Sequence, residues 1–210
     1  MTDIYHFTHI TNIEAIIRDG GLMSDSECIR IGRTAVRSGN AEIKQRRLAK
    51  AIESGVGMGG VVGDYVPFYF APRSPMLYKI MRGNVPGVDP DQDPLVYCVA
   101  CAEDFSPPEF VITDGNAAHD FSSHYGDHAA LSTCIDWRLM RDAIWKNTEE
   151  DGDRMRRRMA EFLVNRFVSW PRVAGLVTRI PATRDAIRAL YSKLKPAHQP
   201  PVSVRPDWYY

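Results

Sequence analysis

Strand-like segments stand at both ends of this 210-residue chain, and helix-like segments gather between them. That order predicts an α+β fold rather than a regular βαβ alternation. Residues 4–10, Ile-Tyr-His-Phe-Thr-His-Ile, read as the first strand, with Ile4, His6, Thr8 and Ile10 sharing one face. Two polar side chains on an apolar face are either core groups bonded to backbone or donors lining a cleft. Thr11-Asn12-Ile13-Glu14 then matches a capping box, Ile13, Ile16 and Ile17 form an apolar stripe, and Gly20-Gly21 closes the helix. Near the other end, strands are expected at 173–180 and 202–205. A helix over Ala182–Leu194 between them carries Ile187, Leu190, Tyr191 and Leu194.

The middle is less regular. Residues 22–39 read as a polar loop with a short helix, and 40–53 as a helix with Lys44, Arg46, Arg47 and Lys50 on its basic side. Gly55-Val-Gly-Met-Gly-Gly60 lacks a P-loop lysine and reads as a flexible connection. Asp64–Phe70 is an aromatic strand in which Pro67 cannot donate to a ladder, which predicts an edge or a bulge there. Ser74-Pro75 supplies an N-cap and first helical residue, with Gly83 closing that helix. Strands follow at 95–101 and near 109–113, and 114–158 shows no clear periodicity.

Size and charge bound the function. No linker divides residues 1–210, so one domain is expected, acting as a monomer. Lysines and arginines equal the acidic residues at 26 each, so affinity for an anionic partner must come from local basic patches. No apolar run reaches membrane-spanning length and the N-terminus lacks the basic and apolar parts of a signal peptide, so a cytoplasmic protein is expected. Cys98 and Cys101 lie in a strand-like run with no second pair, and reduced thiols fit better than a metal site. His124 and His128 have i, i+4 spacing, but Gly126 interrupts any helix there, so no metal is expected. The aromatics of that region, Phe121, Tyr125, Trp137 and Trp145, lie among charged residues. Such a mixture suits single-stranded nucleic acid, and equally a charged surface over core aromatics.

Glu161 is the most pointed single residue. The basic run Arg154–Arg158 stops just before it, and Phe162-Leu163-Val164 follows. A carboxylate at the mouth of an apolar strand is either paired with a neighbouring arginine on a solvated face or kept for a task.

Several stretches taken together resemble a known family. They are Ile4–Ile10, Gln45-Arg46-Arg47, the block Asp64–Tyr78, Ala160–Val164 and the ending Arg205-Pro-Asp-Trp-Tyr-Tyr210. The combination resembles the DarT family of DNA ADP-ribosyltransferase toxins, from residue 4 to residue 210. The resemblance implies an ADP-ribosyltransferase fold, with a split central sheet and NAD⁺ in its cleft. It implies transfer of ADP-ribose from NAD⁺ to a base of single-stranded DNA, thymine in the larger branch and guanine in another. The alternatives kept open are the same chemistry on RNA or protein, and a non-catalytic nucleic-acid-binding module. The implied partners are single-stranded DNA and the macrodomain antitoxin DarG. Residue by residue, the resemblance makes Glu161 and Arg47 catalytic and puts His6, Thr8, Asn12, Gly21, Leu22, Arg47 and Tyr69 around NAD⁺. Lys44, Arg46, Arg73, Arg154 and Arg157 are the expected DNA contacts, with no metal required.

Overall fold

The structure, a computed structural model, describes residues 1–33 and 41–210; the rest of the expected 22–39 loop and residue 40 lie outside the described residues. The first half comprises β1 (Asp3–His9), α1 (Ile10–Arg18), β2 (Gly21–Met23), α2 (Asp25–Arg30), α3 (Ala41–Ala49), β3 (Tyr65–Tyr69), α4 (Pro75–Met81) and β4 (Leu95–Cys101). Then come β5 (Phe110–Thr113), β6 (His124–Tyr125), α5 (Ala130–Thr133), α6 (Trp137–Arg141) and α7 (Arg154–Arg157). The chain closes with β7 (Glu161–Asn165), β8 (Phe167–Ser169), β9 (Gly175–Thr178), α8 (Pro181–Leu194) and β10 (Val202–Val204). The fold is α+β, as the order of segments predicts.

Eight strands form one sheet in the order β10-β9-β4-β1-β3-β7-β5-β6, and β2 and β8 form a separate pair. Strands from both ends of the chain therefore share one sheet. The join between β1 and β3 is the weakest in the sheet. β1 pairs with β4 along its whole length, and β3 pairs with β7 along its whole length. Between them β1 and β3 share a single register pair, Tyr5↔Tyr69. The sheet splits there. The edge that Pro67 predicts is this split: β3 is central in order, but beside Pro67 its neighbour has turned away. The Pro67 carbonyl lies 2.8 Å from His6 Nδ1 instead.

Two apolar layers hold the strands. Phe68, Phe110 and Phe162 are fully buried on one face, with the Phe110 and Phe162 rings stacked at 4.7 Å. Leu77, Ile80 and Tyr97 fill the other. Truncating one such ring costs about 3–5 kcal/mol, through lost transfer energy and the cavity left behind. This packing fixes β7, and so fixes Glu161.

Three local expectations are corrected. Helix α1 starts at Ile10 and is capped by His9, whose side chain accepts from the Thr11 amide; the Thr11 capping box does not form. The cause is an early turn, with Ile10 N donating to Pro94 O at 2.8 Å. Helix α3 ends at Ala49 rather than 53, because Ala51 and Val61 form a bridge and Ile52 N donates to Gly60 O. That closure turns the glycine-rich stretch into a packed turn rather than a flexible connection. Tyr65 Oη accepts from Met58 N and donates to Gly59 O. Gly57 has φ +56, and a Cβ on it would sit 2.5 Å from Val111, so the position takes only glycine.

Candidate active site

Glu161 opens β7 opposite Tyr69 of β3, at the split. It is 1% exposed, which excludes the solvated ion pair. Its partner is Arg47, 114 residues away and also buried, with Nη1 donating to Oε2 at 2.7 Å. The other carboxylate oxygen accepts from the Ala117 amide at 3.0 Å. The backbone is held as well: Glu161 N donates to Thr113 Oγ1 at 3.1 Å, and that hydroxyl donates to Gly115 O at 2.6 Å. The carboxylate is thus fixed by helix α3, strand β5 and the segment after it.

Within residues 42–49 of α3, Arg47 is the buried residue, and the other side chains are exposed or half-buried. Burial works against its charge, but the Glu161 carboxylate outweighs that and the net shift of its pKa is upward. Its Nη2 is buried and has no hydrogen-bond partner among the described residues. A guanidinium with one arm on a carboxylate and one arm unpaired is poised for an anion or a carbonyl oxygen.

Both groups line a cavity of ≈ 230 Å³ between the split and β2. Its wall also carries His6, Thr8, Asn12, Gly21, Leu22 and Tyr69, so every residue expected around NAD⁺ meets there. The Pro67 carbonyl can only accept, so His6 Nδ1 carries the proton and Nε2 keeps a lone pair. Burial lowers the His6 pKa, which keeps the ring neutral. Asn12 Nδ2 donates to Thr8 Oγ1 at 3.0 Å, leaving the Thr8 hydroxyl proton to donate elsewhere. Burial and then Glu161 raise the Tyr69 pKa far above its ordinary value, so its phenol stays protonated. Gly21 owes its identity to the β2–β8 pair, since a Cβ there would meet Val168 O at 2.1 Å.

The expected DNA contacts disperse. Lys44 lines the cavity and pairs with Asp25 at 2.7 Å. Arg46 is exposed beside the buried Arg47. Arg154 pairs with Asp142, and Arg157 with Asp136 and Asp151, so less free positive charge stands before Glu161 than the sequence suggests. Arg73 lies in a turn after β3. The two histidines considered for metal make separate backbone contacts: His124 Nδ1 accepts from Glu53 N and His128 Nε2 lies 3.2 Å from Ala102 O. Trp137 is a core contact, edge-on to Phe70 at 5.6 Å, whereas Phe121 is 82% exposed. Sequence reading missed Asn116 and Met159 in the cavity wall and the Ala117 amide on Glu161. A backbone amide carries no residue signature, and 114–158 has no periodicity to place it.

Comparisons with known proteins point to one family. A family described as ssDNA thymidine ADP-ribosyltransferase, DarT, matches residues 5–210. A DNA ADP-ribosyl transferase of Thermus aquaticus is 32% identical over 211 residues, covering 100% of this chain and 89% of the relative. One of Mycobacterium tuberculosis is 29% identical over 210 residues, covering 99% of this chain and 88% of the relative. The solved structure of Thermus sp. 2.9 DarT with ADP-ribosylated ssDNA matches with a TM-score of 0.88 at 29% identity, covering 100% of this chain and 96% of that one. The same enzyme with NAD⁺ matches with a TM-score of 0.83 at 28% identity, covering 100% and 98%. The chain belongs to the DarT family of single-stranded DNA thymidine ADP-ribosyltransferases.

Proposed function

We propose that this chain transfers ADP-ribose from NAD⁺ to thymine in single-stranded DNA, with Glu161 and Arg47 as the reacting pair. The observation that carries the reading is the buried Arg47–Glu161 contact at a sheet split, inside a cavity that leaves Arg47 Nη2 unpaired. The Thermus enzyme solved with NAD⁺ and with ADP-ribosylated ssDNA supports both substrates.

The chemistry follows from the side chains. His6 Nε2 and the Thr8 hydroxyl anchor the nicotinamide riboside by hydrogen bonds, and the cavity wall at Asn12, Gly21 and Leu22 holds the rest of NAD⁺. The bond from ribose C1′ to the nicotinamide nitrogen breaks, its electron pair leaves with neutral nicotinamide, and C1′ becomes oxocarbenium-like. Glu161 stabilises that positive centre, as carboxylates do in glycoside hydrolysis. It then takes the N3 proton of thymine, and the freed lone pair bonds to C1′. Arg47 Nη2 steadies the anionic base or the pyrophosphate. A paired thymine hides N3 and unpairing costs a few kcal/mol, which favours single strands. Lys44, Arg46, Arg73, Arg154 and Arg157 remain the candidate strand contacts.

A toxin role with a macrodomain antitoxin of the DarG kind fits this chemistry. A DNA ADP-ribosyl transferase–DNA ADP-ribosyl glycohydrolase fusion of Thermosipho africanus is 28% identical over 164 residues, although this chain spans only 38% of its length. Among the described residues no helix is long and apolar enough to cross a membrane, which is compatible with a cytoplasmic site of action. The test is Glu161→Gln: transfer from NAD⁺ to a thymidine-containing oligonucleotide drops by about 10²–10⁴-fold, while the protein stays folded. Transfer near the wild-type rate overturns the assignment.

A further inference from the structure

We propose that Arg73, Tyr78, Trp145 and Tyr210 form a subsite for a nucleotide flanking the modified one, Arg73 taking its phosphate and the rings its base. The inference rests on the DNA reading above and adds a place on the surface. Arg73 has φ +55, a left-handed conformation that costs a non-glycine residue about 1–2 kcal/mol. The surrounding groups enforce it. Its amide donates to Tyr97 Oη at 3.2 Å, and its carbonyl accepts from Tyr210 Oη at 2.7 Å and from Arg158 Nη2 at 3.3 Å. Strain of this kind persists only where the surroundings over-determine it, as these three hydrogen bonds do.

The side chain is held too. The Arg73 guanidinium lies 4.5 Å over the Tyr210 ring. Among the described residues it makes no ion pair, whereas Arg154, Arg156 and Arg157 of α7 each do. Its charge is held over an aromatic ring and not against a carboxylate. Arg158, bonded to the Arg73 carbonyl, is 3% exposed; among the described residues it bonds only backbone carbonyls and leaves Nε and Nη1 without partners. That second guanidinium has no carboxylate to cancel it and adds to the positive field at the turn.

The rings complete the subsite. Tyr78 stands edge-on to Tyr210 at 5.1 Å and to Trp145 at 5.6 Å, and is 36% exposed. Trp145 Nε1 donates to Tyr210 Oη at 3.0 Å, which ties the 142–153 loop to the same cluster. A rigid aromatic face beside a free arginine fits a base and its phosphate. The distance suits as well. Tyr69 is paired with Glu161, and four residues of chain reach at most roughly 14 Å, which keeps the Arg73 backbone within a few nucleotide lengths of the strand that carries Glu161.

The test uses the purified chain, NAD⁺ and a fluorescent thymidine-containing oligonucleotide. Arg73→Gln raises the oligonucleotide KM about 10-fold, leaves kcat and the NAD⁺ KM unchanged, and makes the slope of log Kd against log salt shallower by roughly 0.7, the loss of one single-strand phosphate contact. Arg73→Lys restores the slope but not the full affinity. Tyr78→Ala weakens binding about 5-fold or more with the slope unchanged, since stacking carries no charge. If wild type transfers ADP-ribose and Glu161→Gln does not, yet Arg73→Gln keeps the wild-type slope and KM, the subsite is overturned and the catalytic reading stands.

Discussion

Two arginines among the described residues are buried, and they are held in opposite ways. Arg47 meets a carboxylate at 2.7 Å and keeps one arm unpaired toward a cavity. Among the described residues, Arg158 meets only the carbonyls of Pro72 and Arg73 and no acid. A buried ion pair is weak evidence for stability, because an apolar pair of the same volume serves as well or better. A pair kept at the one place where a sheet splits is therefore read through its chemistry. A lone guanidinium on two carbonyls is read as the pin of a strained turn.

The largest expected effect separates these roles. Arg47→Met strands Glu161 as a buried carboxylate without its cation and destabilises the fold by about 3–5 kcal/mol, together with loss of transfer. Arg158→Met strands no carboxylate and costs about 1–3 kcal/mol, the penalty of unsatisfied carbonyls. Urea unfolding of the two variants measures the gap, and equal losses would break the contrast. Replacing both members, Arg47→Met with Glu161→Met, recovers most of the stability and none of the activity.

A smaller effect appears with pH. Burial lowers the pKa of both His6 and His124 below the ordinary 6.5. Between that value and the lowered folded ones, the unfolded chain binds more protons than the folded chain. Stability is therefore full above about 6.5 and declines as pH falls below it. His6→Gln flattens part of this decline in a thermal-unfolding series; a wild-type curve that gains stability toward acid contradicts the assigned environment. The smallest effect is expected at Arg157, already bound to Asp136 and Asp151. Arg157→Ala shifts the salt dependence of oligonucleotide binding less than Arg73→Gln does, and the reverse order would relocate the strand.

The sequence carried the frame further than the site. Period-two alternation located β1 and the face shared by His6 and Thr8. Pro67 signalled a missing ladder partner, and the capping pair Ser74-Pro75 set the start of α4. What it could not convey was pairing at a distance. Nothing around Glu161 points to Arg47 across 114 residues, and the basic run beside it suggests a nearer partner. Arg154 and Arg157 looked free because their aspartates lie in irregular chain, where spacing predicts no contact. Only the resemblance to a family joined Arg47 to Glu161 before the fold did.

The central claim is that Glu161, paired with Arg47, moves ADP-ribose onto a DNA base. Mass spectrometry of a thymidine-containing single-stranded oligonucleotide after incubation with NAD⁺ tests it most directly. The wild-type chain adds the mass of one ADP-ribose to a thymine nucleotide, and Glu161→Gln forms that adduct about 10²–10⁴-fold more slowly. An unmodified strand with the wild-type chain, or an equal adduct with Glu161→Gln, contradicts the account.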